Sequence, residues 1–129
     1  PVEALVTNVN WLAVGLSTII SYLFASFWYS PTAFGGKWAA GLGLKDGAQG
    51  GFSMIALVCQ FFSTLLLAWI ISLAVANDSV AFIFLISLTI FFFVLTANLM
   101  SKASNYSSLV EATFVLTMSL IMTACNFLL

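Results

Sequence analysis

Residues 82–95 read F-I-F-L-I-S-L-T-I-F-F-F-V-L, a run with no charge and no turn residue. Strands of a membrane barrel alternate polar and apolar side chains, and this run does not. A continuous apolar segment of this kind satisfies its backbone in lipid only as an α-helix, because every N–H and C=O must find a partner within the segment.

Working outward, the chain contains four such runs, at about residues 9–29, 52–76, 80–100 and 107–129, each near the roughly 20 residues that cross about 30 Å of hydrocarbon. Composition agrees: of 129 residues 63% are hydrophobic and 5% charged, and mean hydropathy is +1.17. A soluble domain carries about 25% charged residues. The expected fold is all-α and integral to the membrane: one domain over residues 1–129, four transmembrane helices, and a short interfacial helix after the first, at 31–43. The N-terminal tail has no positive region and no small-residue cleavage site follows the first apolar run, so that run reads as a retained span, not a signal peptide. The leading Pro1 fits removal of an initiator methionine.

The chain has no Arg and no His, three lysines and a net charge of -1. Phosphate recognition, imidazole catalysis and histidine metal ligation therefore lack their usual residues. Nucleic-acid binding is excluded on the same ground, and neither a cofactor nor an enzymatic reaction is expected, for want of a phosphate loop, a CxxC pair or a cluster of carboxylates. Lys37 and Lys45 lie in the first loop and Lys102 in the third, whereas the N-terminal tail carries Glu3 and the second loop Asp78. Cytoplasmic loops hold the Lys excess, which places both termini outside. Cys59 and Cys125 then lie at depths of about 10 and 27 Å from the cytoplasmic side, too far apart for a disulfide within one subunit.

The segment F-W-Y-S-P-T-A-F-G-G-K-W at 27–38 ends the first span. Trp28 and Tyr29 suit the headgroup level. Ser30 and Pro31 form an N-cap and first-turn pair for a new helix. Phe34, Trp38 and Leu42 then recur every four residues, as one face of an interfacial helix with Gly35 within it and Lys37 near lipid phosphates. Gly41, Gly43, Gly47, Gly50 and Gly51 limit its length. An anchor and a corner is the plainer account of this stretch, and a site at the cytoplasmic mouth the alternative.

These residues carry a resemblance. N-W-L-A at 10–13 and W-Y-S-P-x-x-F-G-x-x-W at 28–38 resemble the small bacterial four-span membrane proteins of domain-of-unknown-function family 1761. The resemblance implies a four-span fold in a bacterial inner membrane and no activity. It also implies an acid, alanine and aromatic element near the start of the last span, matched by Glu111, Ala112 and Phe114. The family's usual acid is Asp, and its arginine-rich third loop is replaced here by S-K-A-S-N-Y-S-S at 101–108.

Within the spans Glu111 is the one charged residue, which makes it a candidate for proton or ion movement. The competing account is a capping box, Ser108-x-x-Glu111, at the start of the last helix, with Glu111 only about 6 Å beyond Ser107. Small and weakly polar residues form stripes on two spans: Ser17, Ser21 and Ala25 on the first, and Ser108, Ala112, Ser119, Thr123 and Asn126 on the last. Such stripes let helices approach closely. If they line a crevice instead, Gln60, Thr64, Thr96 and Asn98 are expected to face it. The partners expected are the lipid bilayer and either further copies of the chain or other integral membrane subunits. The functional expectation is a structural or accessory membrane component, with a small oligomeric transporter or channel using Glu111 as the alternative.

Overall fold

The computed structural model describes residues 1–44 and 53–129. Lys45, Gly47, Gly50, Gly51 and the expected start of the second span at Phe52 lie outside the described residues. After a 3-10 turn at Val2–Leu5 come α1 (Trp11–Trp28), α2 (Gly35–Gly41), α3 (Met54–Ala76), α4 (Ala81–Met100) and α5 (Asn105–Leu128). No strand occurs among the described residues. Four helices, α1, α3, α4 and α5, are long and apolar enough to cross a membrane.

Each helix end has a local cause. Asn10 and Ser53 cap α1 and α3 by accepting from Ala13 and Ala56 N–H, the bond that satisfies an orphan first-turn donor. The connections after α3 and α4 are built alike. Asp78 and Lys102 adopt left-handed backbone, at φ 53° and 66°. Ser79 N–H then reaches back to the Ala74 carbonyl, and Ala103 N–H to Asn98. These are Schellman closures, and they reverse the chain within a few residues.

The bundle mixes small hydroxyl residues into its apolar interior and covers its outside with large apolar side chains. Ser17, Thr18, Ser21, Thr64, Ser72, Ser87, Ser107, Ser108 and Ser119 are buried, while Ile55, Phe84, Phe93 and Leu120 are exposed. In water so much exposed hydrocarbon would drive aggregation. In lipid it is solvated, and the small hydroxyl residues let helices close on one another. Tryptophans mark the two ends. Trp11 packs on Trp69 at 5.3 Å, and Trp28 and Trp38 stand at the opposite end. The 18 residues from Trp11 to Trp28 rise about 26 Å from first to last, close to the thickness of the hydrocarbon layer.

α5 is the central element. It packs against α1, α2, α3 and α4, whereas α3 and α4 barely meet. The main core joins Val14 of α1, Leu67 and Ile71 of α3, Ile83 of α4 and Phe114, Val115, Met118 and Met122 of α5. The first and third loops share one end of the bundle, tied by Ser104 N–H donating to the Gly41 carbonyl, so Lys37 and Lys102 stand on the same side.

Candidate functional site: the Glu111 cleft

α5 begins earlier than its sequence suggests. Its cap is Ser104, whose hydroxyl accepts from Ser107 N–H. Ser108 lies inside the helix, and its hydroxyl donates to the Ser104 carbonyl. The capping box expected at Ser108 and Glu111 is therefore replaced by a cap one turn earlier. Glu111 stands about 9 Å beyond Asn105 along the axis, well past the orphan amides of the first turn.

Freed from capping, the Glu111 carboxylate meets side chains of other helices. Trp38 Nε1 of α2 donates to its Oε2 at 3.3 Å. The Asn98 carboxamide, near the end of α4, also faces it. Beside the carboxylate runs a cleft of about 220 Å³, walled by Gln60, Ser63 and Leu67 of α3 and by Ile90 and Val94 of α4. Phe114, Val115 and Met118 form its floor, and Tyr29 closes the end. Since α3 and α4 scarcely touch, the cleft opens sideways between them, where Gln60 and Ser63 are exposed. Among the described residues Glu111 forms no ion pair, and no three His, Cys, Asp or Glu side chains converge as a metal site.

The segment 28–38 explains how Trp38 arrives there. Trp28 Nε1 donates to the Val110 carbonyl at 3.1 Å, and its ring meets Phe34 at 4.7 Å. Ser30 does not cap α2. Its hydroxyl donates to Phe27 O, Pro31 opens a turn, and the helix starts only at Gly35. At Gly35 a Cβ would collide with the Tyr29 carbonyl, so glycine permits this tight reversal. At Gly41 a Cβ would strike the Ser104 and Ser107 hydroxyls. The close approach lets Ser107 Oγ donate to the Trp38 carbonyl at 2.6 Å.

Of the face expected to lie on lipid, Trp38 turns inward, while Leu42 is half-buried and Phe34 stays exposed. Trp38 is 5% exposed and packs with Ala39 and Val110, because its indole finds an acceptor and an aromatic neighbour, Tyr29, at 4.5 Å. Lys37 extends over the Tyr106 ring at 4.7 Å. The interior aromatic group continues through Tyr29 and Phe114, 5.5 Å apart.

The two stripes divide. Ser17, Ser21, Ala112 and Ser119 are buried, while Ala25, Thr123 and Asn126 are half-buried. Most of their polar atoms bond within their own helix: Ser17 to Val14, Thr123 to Ser119 and Asn126 to Met122. The bond that crosses helices is Ser87 to Ser119, at 2.8 Å between α4 and α5. Of the four residues expected around a crevice, Gln60 lines the cleft and Asn98 faces the acid. Thr64 is buried against the Gln60 carbonyl at 2.7 Å, and Thr96 points outward. Tyr29 and Phe114 are cleft residues that the sequence suggested only as an anchor and a motif neighbour. For Tyr29 the signal was the aromatic crowding of residues 27–29; Phe114 stands alone among aliphatic and hydroxyl residues and carried no such signal.

No family model, curated protein or solved structure matches the chain.

Proposed function

We propose that Glu111 is the working residue of a non-enzymatic multi-pass membrane protein, a small transporter or channel in which the carboxylate takes up and releases a proton or a monovalent cation. The observation that carries this reading is the set of neutral polar side chains placed on the acid by the described residues. An acid inside a span, bordering a cleft, has indole, carboxamide and hydroxyl neighbours and no cation among the described residues. An acid kept for structure alone is normally paired or spent on a helix end, since unpaired intramembrane charge is costly. The orientation proposed is both termini outside in a bacterial inner membrane. The proposed kinship with family 1761 rests on residues 10–13 and 28–38, the latter of which seat α2 on α5.

Purified protein in proteoliposomes with an imposed pH gradient tests this. The wild type should dissipate the gradient, and Glu111→Gln, folded to the same thermal midpoint, should not. Equal flux from both would defeat the reading.

An accessory role is the second reading, favoured by α4. This helix leans mainly on α5 and turns Phe82, Phe84, Phe92 and Phe93 outward, as a subunit docked on another membrane protein would do. Native mass spectrometry from mild detergent separates the two. Stoichiometric foreign chains support the accessory role, and a closed homo-oligomer alone supports transport.

A further inference from the structure

We propose that the cleft binds a small lipophilic ammonium ion, with the nitrogen on Glu111 and the hydrocarbon body between α3 and α4. This deepens the reading of Glu111 as a cation site and rests on it.

Three features select this ligand class. The first is the lining, which joins a single carboxylate to the aromatic rings of Tyr29 and Phe114 and to the hydrocarbon of Leu67, Ile90, Val94 and Met118. Ammonium groups are held by carboxylates and by the negative faces of aromatic rings. Apolar walls instead fail a metal ion, because a hard divalent cation asks for six or more oxygen ligands before giving up its water.

The second feature is size. At about 220 Å³ the cleft is below the roughly 300 Å³ where pockets for drug-sized molecules begin. A tetraethylammonium-sized ion is the appropriate scale. The third is access. The cleft opens between two membrane-spanning helices, so a ligand with hydrocarbon arms reaches it from the bilayer, whereas a strongly hydrated ion does not. Trp38 holds Glu111 Oε2 from the α2 side, which fixes the carboxylate at the cleft's end without supplying a competing cation.

Calorimetric titration of tetraethylammonium chloride into the full chain in lipid nanodiscs is the test. Saturable binding is expected in the wild type, weakened at least tenfold in Glu111→Gln. Val94→Phe, which fills the cleft and leaves the acid in place, should weaken it to a similar extent, and Thr96→Ala, on the outer face of α4, should leave it unchanged. Binding that survives in Glu111→Gln, or wild-type protein that binds sodium and not tetraethylammonium, overturns the proposal. Proton flux in proteoliposomes without tetraethylammonium binding overturns the ammonium inference and leaves Glu111 as a proton site. Absence of both defeats both readings.

Discussion

Trp38 and Glu111 meet across 3.3 Å, an indole N–H on a short helix and a carboxylate two turns into the last span. The bond joins two stretches that are far apart in sequence, and it depends on α2 lying against α5.

Removing the donor tests that bond. Trp38→Phe keeps an aromatic ring and loses the N–H. The expected cost is about 1.5–3 kcal/mol, the range for a hydrogen bond to a charged group, read as a lower thermal midpoint in detergent. An unchanged midpoint would show that the indole does not hold the acid.

Glycines at the corner offer a graded comparison. Gly35→Ala and Gly41→Ala place a Cβ on the Tyr29 carbonyl and on the Ser104 and Ser107 hydroxyls. Overpacking of this kind costs about 1–3 kcal/mol, with Gly35 the worse because backbone must move. Gly15→Ala meets nothing within 4 Å and should be neutral or stabilising by up to about 1 kcal/mol, the helix preference for alanine. Thermal midpoints of the three variants check the order.

The left-handed residue Asp78 suggests a stabilising change. Its φ of 53° is strained for a residue with a Cβ, and the Schellman closure favours glycine there. Asp78→Gly should gain up to about 1 kcal/mol in reversible unfolding, because relief of the left-handed backbone, about 1–2 kcal/mol, exceeds the roughly 0.4–1 kcal/mol of unfolded-chain entropy that a glycine adds. A loss would mean that the Asp78 side chain contributes more than its backbone strain costs.

Ser87 and Ser119 form the hydroxyl pair that ties α4 to α5. A double-mutant cycle with alanine at both positions should give a coupling near 0.6 kcal/mol, the average for hydrogen bonds between membrane helices. A coupling of zero would show that α4 is held by packing alone.

Much of this fold was legible in residues 82–95 and in the three other apolar runs, since lipid leaves the backbone few choices. The start of α5 was not. Ser108 and Glu111 fit a capping pattern, but so does Ser104 with a different partner, and three serines at 104, 107 and 108 compete for one helix end. What decides among them is the tertiary bond from Ser104 N–H to Gly41, which no local pattern records. The inward turn of Trp38 is similar. A four-residue aromatic period marks one face of a helix without saying whether lipid or protein covers it, and Glu111 supplied the acceptor that decided it. Gln60 and Asn98 were legible as crevice residues, while Thr96, on the same helix as Asn98, lies about a half-turn away and faces out.

The most direct measurement is infrared difference spectroscopy of the protein in lipid, recorded across a pH titration for the wild type and Glu111→Gln. The account predicts a carboxylic acid band that appears and disappears with pH in the wild type and is missing from the variant, with both proteins equally folded. A wild-type spectrum identical to that of Glu111→Gln would show that Glu111 exchanges no proton, and would contradict its assignment as a proton-exchanging residue.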